Sequence, residues 1–244
     1  MNAVVRASGL RVSYGERKVF EDVSVCLVAG RLIALVGPNG SGKSSLLRLL
    51  AGVQRPSAGV VERDGKVTLI APNADPPSDL TPEDLALYGV ALRQRPWVWG
   101  VPAEARERIA GALGRCGLLD QARAPVGTLS AGEVQRAWIA AALAAQSSAV
   151  LIDEPTSHLD LRYQVEVLRT LRSLSAHGVS VVVALHDLTL AARFADEIML
   201  LASGHLQAGP PEAILSATAL SAAYGISVTL HRHPEEGYLI CLPG

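Results

Sequence analysis

Apolar and polar residues follow two different patterns along this chain. Strand-like runs, made mostly of apolar residues, lie at 32–36, 67–71, 149–152, 179–185 and 197–201. Short runs of this kind are typical of strands that are buried on both faces of a parallel sheet. Residues 1–20 instead alternate between apolar and polar positions around a turn, which predicts strand structure at the start of the chain.

The strand pattern is absent between about Asp79 and Ser148, where helical patterns replace it. We expect helices near 82–91, 102–116 and 131–145, joined by turns that contain proline and glycine. Strands that alternate with helices predict an α/β fold, in which helices cover a mostly parallel sheet and ligands bind at the carboxyl ends of the strands. The middle helices then form an insertion into that core.

Composition and charge mainly exclude some classes of protein. With 244 residues and 49% hydrophobic content, the chain can form a single α/β domain. Its formal net charge of −1 gives no reason to expect nucleic acid as a partner. The apolar runs are shorter than the ~20 residues that cross a bilayer, and the first residues lack the apolar core of a signal peptide. We therefore expect the chain to remain in the cytosol.

The segment Gly37–Ser44, called the phosphate loop below, fits the pattern G-x-x-x-x-G-K-[ST]. It follows the apolar run 32–36 and precedes a helical pattern, so backbone N–H groups and a helix N-terminus converge on one anion. Its glycines let the backbone approach phosphate oxygens, Lys43 supplies a positive charge, and the Ser44 hydroxyl can ligate Mg²⁺. This arrangement predicts a site for a nucleoside triphosphate.

Two carboxylates, Asp153 and Glu154, follow the apolar run 149–152. Charges at the end of a buried strand are costly unless they meet a cation or transfer a proton, and Mg²⁺ beside a triphosphate meets the first need. Asp153 is the predicted metal ligand, acting through water. Because side chains alternate along a strand, Glu154 is expected to point elsewhere, toward an attacking water, as general base.

A histidine, His186, directly follows the apolar run 179–185. It is therefore expected at the same edge of the sheet, where its imidazole can hydrogen-bond a γ-phosphate oxygen. A further segment, Leu129–Glu133, predicts a helix start with Ser130 as the N-cap. The backbone N–H groups of its small residues are free to meet phosphate, although a capped helix alone also explains this segment.

Taken in order, these motifs resemble the ATP-hydrolysing subunits of ABC transporters over nearly the whole chain. The matching segments are Tyr14 (the aromatic that stacks on adenine), Gly37–Ser45 (Walker A), Leu129–Gln135 (the signature), Val150–Glu154 (Walker B), Ser157–Asp160 (the D-loop) and His186 (the switch histidine). The resemblance implies an α/β P-loop NTPase core with a mostly parallel sheet, antiparallel N-terminal strands and an inserted helical subdomain.

The resemblance also implies one ABC ATPase domain over residues 1–244. Its nucleotide-binding core would cover about 1–72 and 146–210, its helical subdomain about 73–145, and its C-terminal tail about 211–244.

Site residues follow from the same resemblance, position by position. Those expected to bind ATP are Tyr14, Gly37, Pro38, Asn39, Gly40, Ser41, Gly42, Lys43, Ser44 and Ser45. Glu154 and His186 are expected to act in catalysis, and Ser44 and Asp153 to hold Mg²⁺. In the family two subunits stack head to tail, so the signature would act in trans on the nucleotide of the partner. The signature residues expected to act in trans are Ser130, Ala131, Gly132 and Glu133. Asp160 is the expected residue of the D-loop.

Subunits of this family form homodimers that bind integral membrane permease subunits and, indirectly, serve a substrate-binding protein. That implies a peripheral location on the cytoplasmic face of the membrane. Segments 153–160, 185–193 and 209–212 look most like importer subunits for iron–siderophore, haem and cobalamin uptake. The alternatives are an importer of zinc, manganese or another substrate, and a soluble ABC ATPase outside transport.

The sequence differs from the family pattern just before the helical insertion, and two of the tryptophans within the insertion need an explanation. Members carry a glutamine after the strand that corresponds to 67–71, where it contacts Mg²⁺ and the attacking water. Spacing places Pro72 there, and a shift of one residue places Asn73, the only one of the two with an amide, of shorter reach. Trp97 and Trp99 either contact the permease or pack inside the insertion.

Overall fold

The computed structural model describes residues 3–71, 76–91, 102–157 and 159–244. The positions Pro72, Asn73, Trp97 and Trp99 lie outside the described residues. The chain divides into two compact units. The first comprises Met1–Leu69, Ser148–Glu154 and Leu171–Gly244, and the second comprises Ile70–Ser147 and Pro155–Thr170.

The described residues form strands and helices in the following order. The strands are β1 (Ala3–Tyr14), β2 (Arg17–Val28), β3 (Leu32–Val36), β4 (Ala58–Arg63), β5 (Val67–Ile70), β6 (Ala149–Asp153), β7 (Ser180–Ala184), β8 (Glu197–Ala202), β9 (His205–Gly209), β10 (Val228–Arg232) and β11 (Leu239–Pro243). The helices are α1 (Lys43–Ala51), α2 (Pro82–Ala91), α3 (Ala103–Arg115), α4 (Ala131–Ala144), α5 (Leu161–Ala176), α6 (Leu188–Phe194), α7 (Pro211–Ile214) and α8 (Ala217–Tyr224).

The main sheet has six strands in the order β5-β6-β7-β3-β8-β9. Strand β3 pairs in parallel with β7 and β8, β7 pairs in parallel with β6, and β9 is antiparallel to β8. Every residue of β3, β6 and β7 is buried, which is why these strands are almost entirely apolar in the sequence, with Asp153 and Ser180 as the exceptions. The parallel order brings the carboxyl ends of β3, β6 and β7 to one edge, where the residues that follow them can meet.

A second sheet of three antiparallel strands, in the order β2-β1-β4, contains the N-terminal residues. Its inward-facing side chains join one apolar cluster with helix α1 and the main sheet; Leu10, Phe20, Leu46 and Leu50 are all fully buried there. Burial of such a side chain contributes about 1.5–3 kcal/mol. Helix α1, which begins at the end of the phosphate loop, is therefore fixed by packing along its length.

The second unit contains the helices α2, α3 and α4, which pack against one another. Helices α2 and α4 approach closely at Gly89, where a β-carbon would lie 2.4 Å from the Ala141 carbonyl oxygen. The sequence patterns predict all three helices, and α2 has the predicted bounds Pro82–Ala91. In the part of the chain that the structure describes, no helix combines the length and apolarity needed to cross a membrane.

Candidate active site

The phosphate loop joins β3 to α1 in a path that requires glycine at two positions. At Gly42 the backbone φ is +107°, and a β-carbon would lie 2.5 Å from a Val19 methyl. At Gly37 a β-carbon would lie 2.1 Å from the Leu201 carbonyl oxygen. Helix α1 begins directly after Gly42 without a side-chain N-cap, so the N–H groups of its first turn are available to an anion.

Lys43 is buried beneath this loop, with 5% of its surface exposed. Its Nζ donates hydrogen bonds to the carbonyl oxygens of Gly37, at 2.8 Å, and Pro38, at 3.2 Å. Burial lowers the pKa of the ammonium, while the nearby carboxylates of Glu154 and Asp153 act in the opposite direction. The geometry thus holds a cation at the loop, next to two acidic groups.

Asp153 ends β6 and is 3% exposed. Burial raises the pKa of its carboxyl group, and a hydrogen bond with Ser44 partly opposes that shift. Its Oδ1 atom is buried and has no hydrogen-bond partner among the described residues. A buried carboxylate oxygen of this kind is costly unless a cation or a water bound to one occupies the adjacent space.

Glu154 is the first residue beyond β6, and its backbone turns sharply there, with φ at +53°. Non-glycine residues rarely adopt this left-handed conformation, which costs energy and is common at functional sites. This turn, rather than strand alternation, sets the direction of the side chain. The Glu154 Oε1 atom lies 2.7 Å from the Nε2 atom of His186, which follows β7. Two residues predicted to reach the same sheet edge are therefore in direct contact.

Tyr14, at the end of β1, is 51% exposed and keeps its ring available to a ligand. Its hydroxyl donates to Gln54 Oε1 at 3.1 Å and lies 3.0 Å from the Ser45 hydroxyl. The hydrogen bond with Ser45 lowers the pKa of the Tyr14 hydroxyl. Since Ser45 lies in α1 directly after the phosphate loop, this bond ties the aromatic ring to the loop.

An open cavity of about 310 Å³ lies over the phosphate loop. It is lined by Tyr14, Arg17, Val19, Asn39, Gly40, Gly42, Lys43, Ser44, Ser45 and Glu154. The lining combines an aromatic ring with a lysine and a carboxylate, which suits a ligand that has a flat base and a charged tail. Sequence analysis names most of these residues, but it misses Arg17 and Val19 and, beside the cavity, Gln54.

A sequence model of the ABC transporter family matches residues 20–157. The matched region is more than half of the 244 residues and contains the phosphate loop, Asp153 and Glu154. The chain belongs to the ABC transporter family. The resemblance seen in its motifs is confirmed, and as an ABC ATPase the chain binds and hydrolyses ATP.

Curated relatives agree with this ABC assignment along the whole chain. The chain is 39% identical to the hemin import ATP-binding protein HmuV of Streptomyces coelicolor, over 97% of this chain and 89% of that protein. It is 34% identical to the ferric enterobactin transport ATP-binding protein FepC of Escherichia coli, over 99% of this chain and 94% of that protein.

Among solved structures, an inward-facing metal-chelate type ABC transporter matches with a TM-score of 0.90 and 26% identity, over 100% of this chain and 98% of that chain. The fold predicted from the sequence, a P-loop NTPase core with a mostly parallel sheet and antiparallel strands, is confirmed.

The segment predicted as the ABC signature lies in the second unit and forms a complete capping box at the start of α4. The Ser130 hydroxyl accepts from the Glu133 N–H at 3.4 Å, and Glu133 Oε2 accepts from the Ser130 N–H at 2.8 Å. This backbone hydrogen bond lowers the pKa of Glu133. Gly132 packs so tightly that a β-carbon would lie 2.9 Å from the Tyr163 ring. Ala131, in contrast, is exposed.

Asp160, predicted as a D-loop residue, lies just before α5 in the same unit. Its Oδ1 atom accepts a hydrogen bond from the Tyr163 N–H at 3.1 Å, which caps the first turn of α5. The neighbouring Gln164 amide donates to the carbonyl oxygens of Thr156 and Leu159, at 3.2 and 3.1 Å. Gln164 thus connects Thr156 and Leu159 to the first turn of α5, and within this chain Asp160 acts as a helix cap.

Proposed function

We propose that this chain works as a homodimer of MgATP-hydrolysing subunits that drives an importer for iron–siderophore, haem or cobalamin. The observation that carries the chemistry is the convergence of Lys43, Asp153 and Glu154 on the phosphate loop. The lysine suits the anionic phosphates, whereas the two carboxylates repel them unless a cation lies between. Nucleotide and metal therefore belong to one site.

Magnesium fits the residues that are present. Ser44 and Asp153 are joined by a hydrogen bond, and the unpartnered Oδ1 of Asp153 is a hard oxygen donor of the type that Mg²⁺ prefers. When bound, the ion would neutralise phosphate charge during transfer. Because burial raises the pKa of Asp153, acidification protonates it at a higher pH than an ordinary aspartate, so metal affinity should fall early as the pH drops.

Asp153→Asn is expected to abolish Mg²⁺-dependent turnover and to leave the nucleotide-free protein at least as stable as wild type. The neutral amide avoids the desolvation that raises the pKa of Asp153 in the folded state. Phosphate release at saturating MgATP and the melting temperature without ligand check both parts, with the exposed Asp64→Asn as a matched control. Turnover within about twofold of wild type would contradict the assignment of Asp153 as a metal ligand.

For hydrolysis, Lys43 would leave its two loop carbonyls to meet the terminal phosphates. Glu154 would accept a proton from the attacking water, and His186 would bind a γ-phosphate oxygen. The contact between the two side chains supports these separate roles, because a γ-phosphate that attracts His186 would free the Glu154 carboxylate to act on water. The Tyr14 ring would stack on the adenine.

The homodimer would be completed in trans by the signature. Ser130, Ala131, Gly132 and Glu133 open a helix whose first-turn N–H groups suit phosphate, and Glu133 and Ser130 fix the loop that presents them. We propose that Asp160 contacts the partner subunit, and that closure around two ATP molecules changes the conformation of the permease. The chain would lie peripherally on the cytoplasmic face of the membrane.

The importer assignment rests on the relatives, which are named for hemin and ferric enterobactin uptake. It is tested by reconstituting the chain with its permease and binding protein and measuring ATP hydrolysis, with a Glu154→Gln subunit as the blank. We expect stimulation by binding protein loaded with a ferric siderophore, haem or cobalamin over the empty protein. Stimulation only by zinc- or manganese-loaded binding protein would change the assigned substrate to that metal. ATP turnover that does not respond to any partner would favour a soluble ABC ATPase outside transport.

A further inference from the structure

Helix α6 connects the reaction centre to the C-terminal segment. It has seven residues, Leu188–Phe194, and begins two residues after His186. Asp187 caps its first turn by accepting a hydrogen bond from the Leu190 N–H at 2.9 Å. A helix this short is unstable alone, so its position depends on contacts with other elements. Whatever fixes α6 also fixes the backbone that carries His186.

The hairpin β10–β11 contacts both ends of α6. At the first turn, the Cys241 N–H donates to the Thr189 hydroxyl at 3.1 Å. At the last turn, Arg193 forms a two-pronged bond with Glu236, from Nε to Oε2 at 3.1 Å and from Nη2 to Oε1 at 2.9 Å. The same guanidinium lies 5.3 Å from the centre of the Tyr238 ring. This fork restricts rotation of the helix end more than a single hydrogen bond would.

The turn that presents Glu236 is itself rigid. The Nδ1 atom of His233 accepts hydrogen bonds from the backbone N–H groups of Glu235, at 3.3 Å, and Glu236, at 3.1 Å. The His233 ring stacks on Tyr238 with 4.8 Å between ring centres, and the His233 N–H donates to the Tyr238 carbonyl at 2.9 Å. A carboxylate held in this way can act as a fixed anchor for α6.

We infer that Glu236 is a positioning residue for ATP hydrolysis, which acts through Arg193 and α6 to hold His186 at the edge of the sheet, where its imidazole contacts Glu154 and, in the proposed reaction, a γ-phosphate oxygen. The inference rests on the proposed role of His186. It assigns a part in the reaction to the C-terminal hairpin, which contains none of the ABC motifs. Loss of the Arg193–Glu236 hydrogen bonds leaves α6 in place through its other contacts but lets its last turn move. His186 then spends less time at its position on the sheet edge.

The pair is partly exposed, 30% for the Arg193 side chain and 49% for Glu236, so water screens it and its effect is moderate. We expect Glu236→Gln to lower kcat by about three- to fivefold, with KM for MgATP unchanged. The matched control is Glu235→Gln, which makes the same charge change one residue away at an exposed side chain. It should keep wild-type kcat, and Glu236→Asp should recover part of the loss.

The deciding experiment is a double-mutant cycle with His186→Ala, measured as single-turnover hydrolysis by the full-length chain, with melting temperatures to confirm folding. Glu236→Gln should lower the rate in the wild-type background and have no further effect in the His186→Ala background. The same loss in both backgrounds, or none in the wild type, overturns the inference. If His186→Ala keeps the wild-type rate, the proposed role of His186 fails as well, which distinguishes the two failures.

Discussion

Glu154→Gln is expected to lower steady-state ATP turnover by about 10²–10⁴-fold, the range typical for loss of a general base. The amide cannot take a proton from water, but it keeps the size of the side chain and can still accept a hydrogen bond from His186. ATP binding should therefore persist, and the chain should accumulate as a nucleotide-bound dimer. Phosphate release, equilibrium binding of MgATP and size-exclusion chromatography measure these three properties.

The matched control for this variant is Glu62→Gln, an exposed glutamate of β4 in the same unit. It should leave turnover and dimer formation unchanged. Turnover of Glu154→Gln close to the wild-type rate would exclude Glu154 as the base. A variant that fails to bind MgATP at all would indicate that the carboxylate supports the loop rather than the chemical step.

Lys43→Met should weaken ATP binding by about 30-fold or more, because it removes the charge that we propose meets the terminal phosphates. The nucleotide-free variant should still fold with a melting temperature near wild type. It loses two hydrogen bonds to loop carbonyls, but it also loses a buried ammonium whose pKa is lowered by desolvation. The two changes oppose each other.

Thermal shifts in the presence of ATP separate these effects. At a nucleotide concentration of 100 times Kd, wild type gains about 2.7 kcal/mol of stability, and at that same concentration the variant should gain much less. Lys18→Met is the control, since this lysine is exposed and pairs with Glu21 at 2.9 Å. An ATP-dependent shift of wild-type size in Lys43→Met would contradict the assigned role.

The sequence predicts those parts of the fold that local pattern controls. Strands β3, β6 and β7 are buried at every position, so their apolar runs are unambiguous. The edge strands β4 and β9 are mostly exposed, and no apolar pattern predicts them. Helix α5 has the signal, since its buried Val167, Leu168, Leu171 and Leu174 follow helical spacing, but sequence analysis assigns it no bounds.

For the candidate site, the sequence predicts which residues lie close together but not which hydrogen bonds connect them. The phosphate loop and the strand ends are local features, so the placement of Lys43, Asp153 and Glu154 can be deduced. The hydrogen bonds from Tyr14 to Ser45 and Gln54, and the fork between Arg193 and Glu236, join positions 31 to 43 residues apart. Such contacts depend on packing and side-chain rotamers, which no spacing rule specifies.

The left-handed backbone at Glu154 sets thermal stability against ATP turnover in this protein. At a φ of +53° a glycine or asparagine would relieve conformational strain, so selection for heat resistance alone would favour replacement of Glu154. The free energy of unfolding would rise by about 1–2 kcal/mol, and the resulting variant would be more stable but would lack its proposed general base. Directed evolution of this ATPase would therefore need to select for turnover at every round.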